Sequence, residues 1–212
     1  MTEEATKRKK FEMLRSFVAA DFITLANAAC GMAAIFFCLN YMEEAIPAYV
    51  WTAIFLLPAA FVFDFFDGFV ARWRHKHSAL GADLDSLADI VSFGVAPAVL
   101  GFALGMNGAL DAAVLIFFVV CGIARLARYN VTAHELSKGT GKVPYYEGTP
   151  IPTSLAIVLV LAIAYGTGNT GDDLWFGSYE IGPWGFHPLV LLYALSGSAM
   201  VSTTLRIPKL GK

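Results

Sequence analysis

Residues 46–104 read IPAYVWTAIFLLPAAFVFDFFDGFVARWRHKHSALGADLDSLADIVSFGVAPAVLGFAL. Two apolar blocks, each long enough to cross a hydrocarbon core as a helix, flank a short connection that holds Arg72, Arg74 and Lys76. The stretch predicts a transmembrane helical hairpin. Its acidic side chains, Asp64, Asp67, Asp83, Asp85 and Asp89, all gather near the basic connection.

The pattern continues on both sides of this hairpin. With 57% hydrophobic and 15% charged residues, and a mean hydropathy of +0.61, the 212-residue chain is too apolar for an ordinary soluble domain. Six spans are predicted, at about residues 17–41, 46–72, 80–104, 109–128, 151–165 and 183–205. The expected fold class is all-α, an integral membrane bundle of six transmembrane helices. The N-terminal stretch is charged and the first apolar block is of spanning length, which predicts a retained helix and not a cleaved leader. Cys30, Cys38 and Cys121 fall inside spans and read as small packing residues, with no disulfide framework.

Orientation follows from the basic residues. Lys7, Arg8, Lys9, Lys10 and Arg15 precede the first span, and Arg72, Arg74 and Lys76 lie between the second and third. Arg125, Arg128, Lys138 and Lys142 lie between the fourth and fifth, and Arg206, Lys209 and Lys212 follow the sixth. These are all 15 Lys and Arg residues of the chain. The other three connections carry Glu43, Glu44, Asp111, Asp172, Asp173 and Glu180 instead. The positive-inside rule then puts both termini in the cytoplasm of a multi-pass cell-membrane protein. A basic cytoplasmic segment (1–16), a transmembrane domain (17–205) and a cytoplasmic tail (206–212) are expected, with no nucleic-acid partner. The run 6–17, TKRKKFEMLRSF, reads either as this topology signal or as a basic amphipathic segment on anionic headgroups. Residues 129–150 are the longest cytoplasmic connection, and their Gly, Pro and Tyr content predicts an ordered loop with turns.

Carboxylates are expensive against lipid, at about 2.5–3.5 kcal/mol each near a helix centre, so they face a bundle interior or a polar cavity and mark function. Asp64, Asp67, Gly68 and Ala71 stand at i, i+3, i+4 and i+7 on one face. Gly81, Asp85 and Asp89 repeat at i, i+4 and i+8 on the next helix. Two acidic stripes can meet there. Asp83 lies on the face opposite Asp85 and reads as directed to solvent or to a cap. Four convergent carboxylates repel one another unless a positive charge sits among them, and an all-oxygen ligand set favours Mg²⁺ or Mn²⁺ over zinc. Gly68, Ala71 and Gly81 leave room for a flat ligand or, equally, for close helix packing. Arg72 offers a guanidinium fork suited to phosphate, or a plain topology anchor.

Residues 64–89, DFFDGFVARWRHKHSALGADLDSLAD, thus have the order Asp, two residues, Asp-Gly, two residues, Ala-Arg, eight residues, Gly, three residues, Asp, three residues, Asp. This resembles, without a mismatch, the signature of the CDP-alcohol phosphotransferase family. The resemblance implies a reaction in which an alcohol hydroxyl attacks the lipid-side phosphorus of a CDP-alcohol and displaces CMP. It implies two divalent cations held by Asp64, Asp67 and Asp85 with help from Asp89, and Asp89 as the base. It places cytidine and pyrophosphate at Gly68, Ala71, Arg72 and Gly81, with Asp64 beside them. On the first span, Thr24, Asn27 and Gly31 (in TLANAACG) resemble the family's opening helix. Asn27 is there a candidate ligand for phosphate or metal-bound water, or a residue that satisfies helix packing. A homodimer is implied as well. Asp21 stands where many relatives carry Asn, and no function is carried to it.

The acceptor is read from a longer, weaker resemblance. LDSLADIVSFGVAPA (84–98), RLARYNV (125–131), EGTPIP (147–152) and STTLRIPK (202–209) look like the serine-using branch, so the expected substrates are L-serine and CDP-diacylglycerol or its ether-linked counterpart CDP-archaeol, drawn from the membrane lipid. Arg125 and Arg128 lie three apart on one helix face, where guanidinium groups can take an amino-acid carboxylate. A glycerol phosphate or inositol phosphate acceptor would attract them too, and helix-end anchoring is the plainer reading. Ser92 and Asn130 can add hydrogen bonds. A second, unrelated type of serine-using enzyme carries His-x-Lys-x-x-x-x-Asp motifs, and none of His75, His77, His134 and His187 opens one. A cation transporter would also bury acidic residues, but it predicts them near the midplane and in repeated halves, whereas here they cluster toward one surface.

Overall fold

A computed structural model describes the backbone of residues 19–73, 79–137, 145–202 and 206–208, and the side chains of 20–70, 81–132 and 148–202. The basic segment 1–16 and most of the 206–212 tail lie outside the described residues. Helix α1 (Ala19–Glu44) ends at Ala45, whose φ of 54° is left-handed, and Pro47 opens α2 (Pro47–Trp73), where its missing N–H costs nothing. This tight corner lays the two helices against each other. Within α2, Pro58 leaves the carbonyl of Ile54 without its usual helical donor, which a membrane helix accommodates.

The third span is one continuous helical path with a change of pitch. Helix α3 (Ala79–Asp89) passes into a π-helical turn (Ile90–Val95) and then into α4 (Ala96–Ala103). The Ala96 N–H reaches back five residues to the carbonyl of Val91, and Pro97 has no N–H to restore the four-residue ladder. Just beyond this turn, Tyr193 donates its buried hydroxyl to the carbonyl of Pro97 at 2.6 Å. Helix α5 (Ala109–Ser137), α6 (Leu155–Gly166) and α7 (Leu191–Val201) complete the bundle. Short 3-10 turns, Ile151–Ser154 and Pro188–Val190, lead into the last two.

Among the described residues, four helices are long and apolar enough to cross a membrane: Ala20–Glu44, Pro47–Val70, Gly81–Ala103 and Ala109–Thr132. Ile151–Gly166 and Pro188–Val201 are shorter apolar helices. The described residues are mostly helical, with two small antiparallel ladders among them that the all-α expectation omits. β1 (Tyr145–Glu147) pairs with β4 (Arg206–Pro208), and β2 (Tyr179–Ile181) pairs with β3 (Trp184–Phe186). Residues 183–186 are therefore turn and strand and not the start of a sixth helix, because Gly182 at φ 64° and Pro183 favour the hairpin turn. Helix α5 also runs past Arg128 to Ser137, where a loop is expected from composition; no Gly or Pro interrupts the chain before Gly139.

The core is apolar and aromatic, with Leu57, Phe93, Leu100, Phe118, Leu161 and Tyr193 fully buried. One close approach governs the site described below. A Cβ at Gly31 of α1 would stand 2.7 Å from the backbone Cα of Ser92 in the π turn, so only glycine lets α1 lie this near. Gly31→Ala is expected to lower both the unfolding temperature in detergent and turnover, since overpacking against backbone costs about 1–3 kcal/mol. An unfolding temperature equal to that of the wild type would show that α1 can shift freely.

At the first turn of α5, far along the helix from Arg125, Asp111 is buried, although the charge pattern counts it with a connection. Its carboxylate accepts the Gly108 N–H at 3.2 Å and the His187 N–H at 2.8 Å, and it meets His187 Nδ1 at 2.7 Å. Asp111 thus reaches back to the residue before its own helix, as a capping side chain does, and ties that end of α5 to the β3–α7 connection.

Candidate active site

Three of the four carboxylates expected to converge from α2 and α3 form a cluster. One carboxylate oxygen from each of Asp64, Asp67 and Asp85 lies within 4.8 Å of the others. Asp64 and Asp85 are half-buried and approach to hydrogen-bonding distance, while Asp67 is buried. Asp89 is buried beside this group, one turn farther along α3. Asp83 is exposed and takes no part.

Helix α1 closes the site from a third side. Thr24 donates to Oδ2 of Asp67 at 2.5 Å, and Nδ2 of Asn27 stands 3.4 Å from Oδ1 of Asp89. Asp21 is buried on the same stripe, close enough for its charge to act on Asp67. Asn27 is fully buried, and its Oδ1 has no hydrogen-bond partner among the described residues. The participation of Thr24 and Asp21 is not evident from the acidic stripes alone. The spacing 21, 24, 27 on a helix with a glycine at 31 is the signal that points to them.

The residues expected to bind serine divide into two groups. Arg125 is half-buried on α5 and lies near enough to Asp89 for direct charge–charge attraction; Arg128, one turn on, is also half-buried. Ser92 is fully buried, and its hydroxyl donates to the carbonyl of Asn27 at 2.9 Å, so its proton serves to hold α1 to the π turn. Asn130 accepts a bond from Ser86 at 3.1 Å, which ties α5 to α3. Gly68 directly follows Asp67, and its N–H also reaches that carboxylate. Gly81 is half-buried in the first turns of α3. Ala71 and Arg72 belong to the last turn of α2, and their side chains lie outside the described residues.

This arrangement fits divalent cations. Ligand oxygens about an octahedral ion at 2.0–2.2 Å stand about 3 to 4.4 Å apart, which a cluster within 4.8 Å can meet by small side-chain rotations. The donors are carboxylate oxygens with no sulfur or imidazole, the chemistry of Mg²⁺ and Mn²⁺ sites. Several carboxylates at this density also need a counter-charge, and Arg125 supplies only one.

Comparison with known proteins agrees with the pattern of residues 64–89. The family described as CDP-alcohol phosphatidyltransferase matches residues 17–196. The chain is 46% identical over 202 residues to a CDP-diacylglycerol–serine O-phosphatidyltransferase of Saccharomyces cerevisiae, an alignment that covers 94% of this chain and 73% of that protein. It is 32% identical over 145 residues to the protein of that name in Bacillus subtilis, covering 68% of this chain and 74% of the relative. A Mycobacterium bovis relative of the same name is 33% identical over 163 residues, 75% of this chain and 54% of its own length. With the family match extending from the first helix into the last, and 46% identity to a relative over 94% of the chain, the chain belongs to the CDP-alcohol phosphatidyltransferase family.

Proposed function

We propose that the chain transfers a phosphatidyl group from CDP-diacylglycerol to L-serine and releases CMP. The observation that carries this reading is the Asp64, Asp67 and Asp85 cluster with Asp89 and Arg125 at its side, in a chain whose similar proteins act, by name, on CDP-diacylglycerol and serine. In the reaction the serine hydroxyl oxygen forms a bond to the lipid-side phosphorus and the phosphoanhydride bond to CMP breaks. Asp89 accepts the hydroxyl proton. Two divalent cations, Mg²⁺ or Mn²⁺, held by Asp64, Asp67, Asp85 and Asp89, supply counter-charge to the pyrophosphate and to the leaving CMP when bound. Gly68, Ala71 and Gly81 leave space for cytidine, while Arg72 and Asn27 face the pyrophosphate. Arg125 and Arg128 take the serine carboxylate, and Ser92 and Asn130 hold the walls of that pocket. The distribution of basic residues supports six membrane-crossing helices in the cell membrane, with both termini and the site on the cytoplasmic side. A homodimer is the assembly the family resemblance supports.

The test uses the full chain in detergent with CDP-diacylglycerol and Mn²⁺. CMP is expected with serine, and not with glycerol 3-phosphate or an inositol phosphate, and excess chelator is expected to stop it. CMP release with another acceptor and none with serine would overturn the acceptor; full turnover in chelator would overturn the role of the cations. In the same assay Arg125→Ala and Arg128→Ala are expected to raise the serine KM by about 10- to 100-fold, the worth of a hydrogen bond to a charged group, with CDP-diacylglycerol KM nearly unchanged. Wild-type serine kinetics in both variants would move the carboxylate site elsewhere.

A further inference from the structure

Helix α1 brings none of the four aspartates of the family pattern, yet it makes the shortest side-chain hydrogen bond described in the site. Thr24 Oγ1 lies 2.5 Å from Oδ2 of Asp67 and 3.2 Å from the carbonyl of Ala20, one turn back on its own helix. Both residues are buried, with Thr24 4% and Asp67 6% exposed. A threonine hydroxyl has one proton for these two acceptors. The carboxylate is nearer and charged, and about 2.5–2.7 Å is the range of an O–H···O⁻ bond, so the proton goes to Asp67. The back-bond to the helix is the weaker alternative.

What the bond does follows from where it sits. A carboxylate can turn about its last torsion with little resistance. Asp67 has Asp21 within charge range and an oxygen of each of Asp64 and Asp85 close by, so repulsion alone would push its oxygens away from them. A donor on α1 fixes one oxygen and with it the plane of the group. Asn27, one turn along α1, stands in the same relation to Asp89 at a longer 3.4 Å.

We propose that Thr24 is a positioning residue for Asp67, holding its carboxylate in the orientation in which Asp64, Asp67 and Asp85 present oxygen to a common divalent cation. This rests on the cation-binding reading given above. Ligand carboxylates held by a hydrogen-bonding partner behind them typically lose about 10- to 100-fold in metal affinity when that partner is removed.

The experiment measures Mn²⁺ binding to the full chain in detergent, without substrate, from the electron paramagnetic resonance signal of free Mn²⁺. Thr24→Val keeps the shape and removes the hydroxyl; Thr24→Ser keeps the hydroxyl and removes the methyl. Thr24→Val is expected to bind Mn²⁺ about 10- to 100-fold more weakly, with turnover regained at high Mn²⁺, while Thr24→Ser stays near wild type. Thr24→Ala replaces the valine variant if that one fails to fold. Wild-type affinity in the hydroxyl-free variant overturns the proposal and leaves the cation reading standing, as does a serine variant weakened as far as valine, which assigns the effect to packing. A wild-type protein that binds no Mn²⁺ overturns both.

Discussion

Asp89→Asn is expected to bind CDP-diacylglycerol nearly as the wild type does and to turn it over with serine about 10²- to 10⁴-fold more slowly, the usual cost of losing a general base. Asp89 is 8% exposed and stands outside the group of three oxygens formed by Asp64, Asp67 and Asp85. Its surroundings differ in kind from theirs. Asn27 addresses Oδ1, and Arg125 on α5 approaches from the side where the serine carboxylate is proposed to lie. An amide keeps the size and one acceptor oxygen of the group, but its nitrogen lone pair is delocalised into the carbonyl and cannot take the serine hydroxyl proton. A metal-dependent CDP-diacylglycerol binding titration beside a turnover assay separates the two roles. Near-normal turnover would make another group or water the base, and binding lost together with turnover would make Asp89 chiefly a ligand.

Asp67→Asn is expected to weaken Mn²⁺ and CDP-diacylglycerol binding together, by more than the roughly 10- to 100-fold assigned to the partner behind a ligand. The substitution removes a negative charge from the cluster itself and replaces an oxygen with an N–H donor. It also spoils the bond from Thr24, since an amide oxygen is a weaker acceptor than a carboxylate and the new NH₂ can only oppose the hydroxyl proton. The effect should therefore exceed that of Thr24→Val, which keeps the charge and loses only the orientation. Equal losses in the two variants would mean that Asp67 contributes nothing beyond what Thr24 imposes on it. Isothermal titration with Mn²⁺, then with CDP-diacylglycerol at saturating Mn²⁺, measures both.

The acidic stripes were legible in the sequence because helical spacing alone sets them: Asp64 with Asp67, and Asp85 with Asp89, need no tertiary information to share a face. What lay across the bundle was not. Thr24 meets Asp67 across 43 residues and Ser92 meets Asn27 across 65; spacing puts Thr24 on the face of Asp21 and Asn27 but does not name the acceptor across the bundle for either hydroxyl. Ser92 illustrates the limit: proximity to the site was inferable, but the direction of its proton was not. The π turn was hidden because Pro97 explains it only once Ala96 is seen to bond Val91. The extent of α5 was misjudged for the opposite reason, since polar composition around residues 129–137 outweighed the absence of any residue that stops a helix. Asp111 and His187, 76 residues apart, are each ordinary for a connection and become a buried pair only when the β2–β3 hairpin folds back.

The π turn at Ile90–Val95 amounts to one residue more than a regular helix would need for the same rise, and such a surplus rotates everything beyond it by about 100°. The two halves of the third span are thereby out of phase. The half bearing Asp85 and Asp89 can keep its orientation toward α1 and α2 while α4 presents an independent face to Tyr193, so a change in packing partners on the far half need not turn the aspartates. Deleting a single residue between 90 and 95 would restore the phase and force a choice between the two faces, a far larger disturbance than the loss of any one of those side chains.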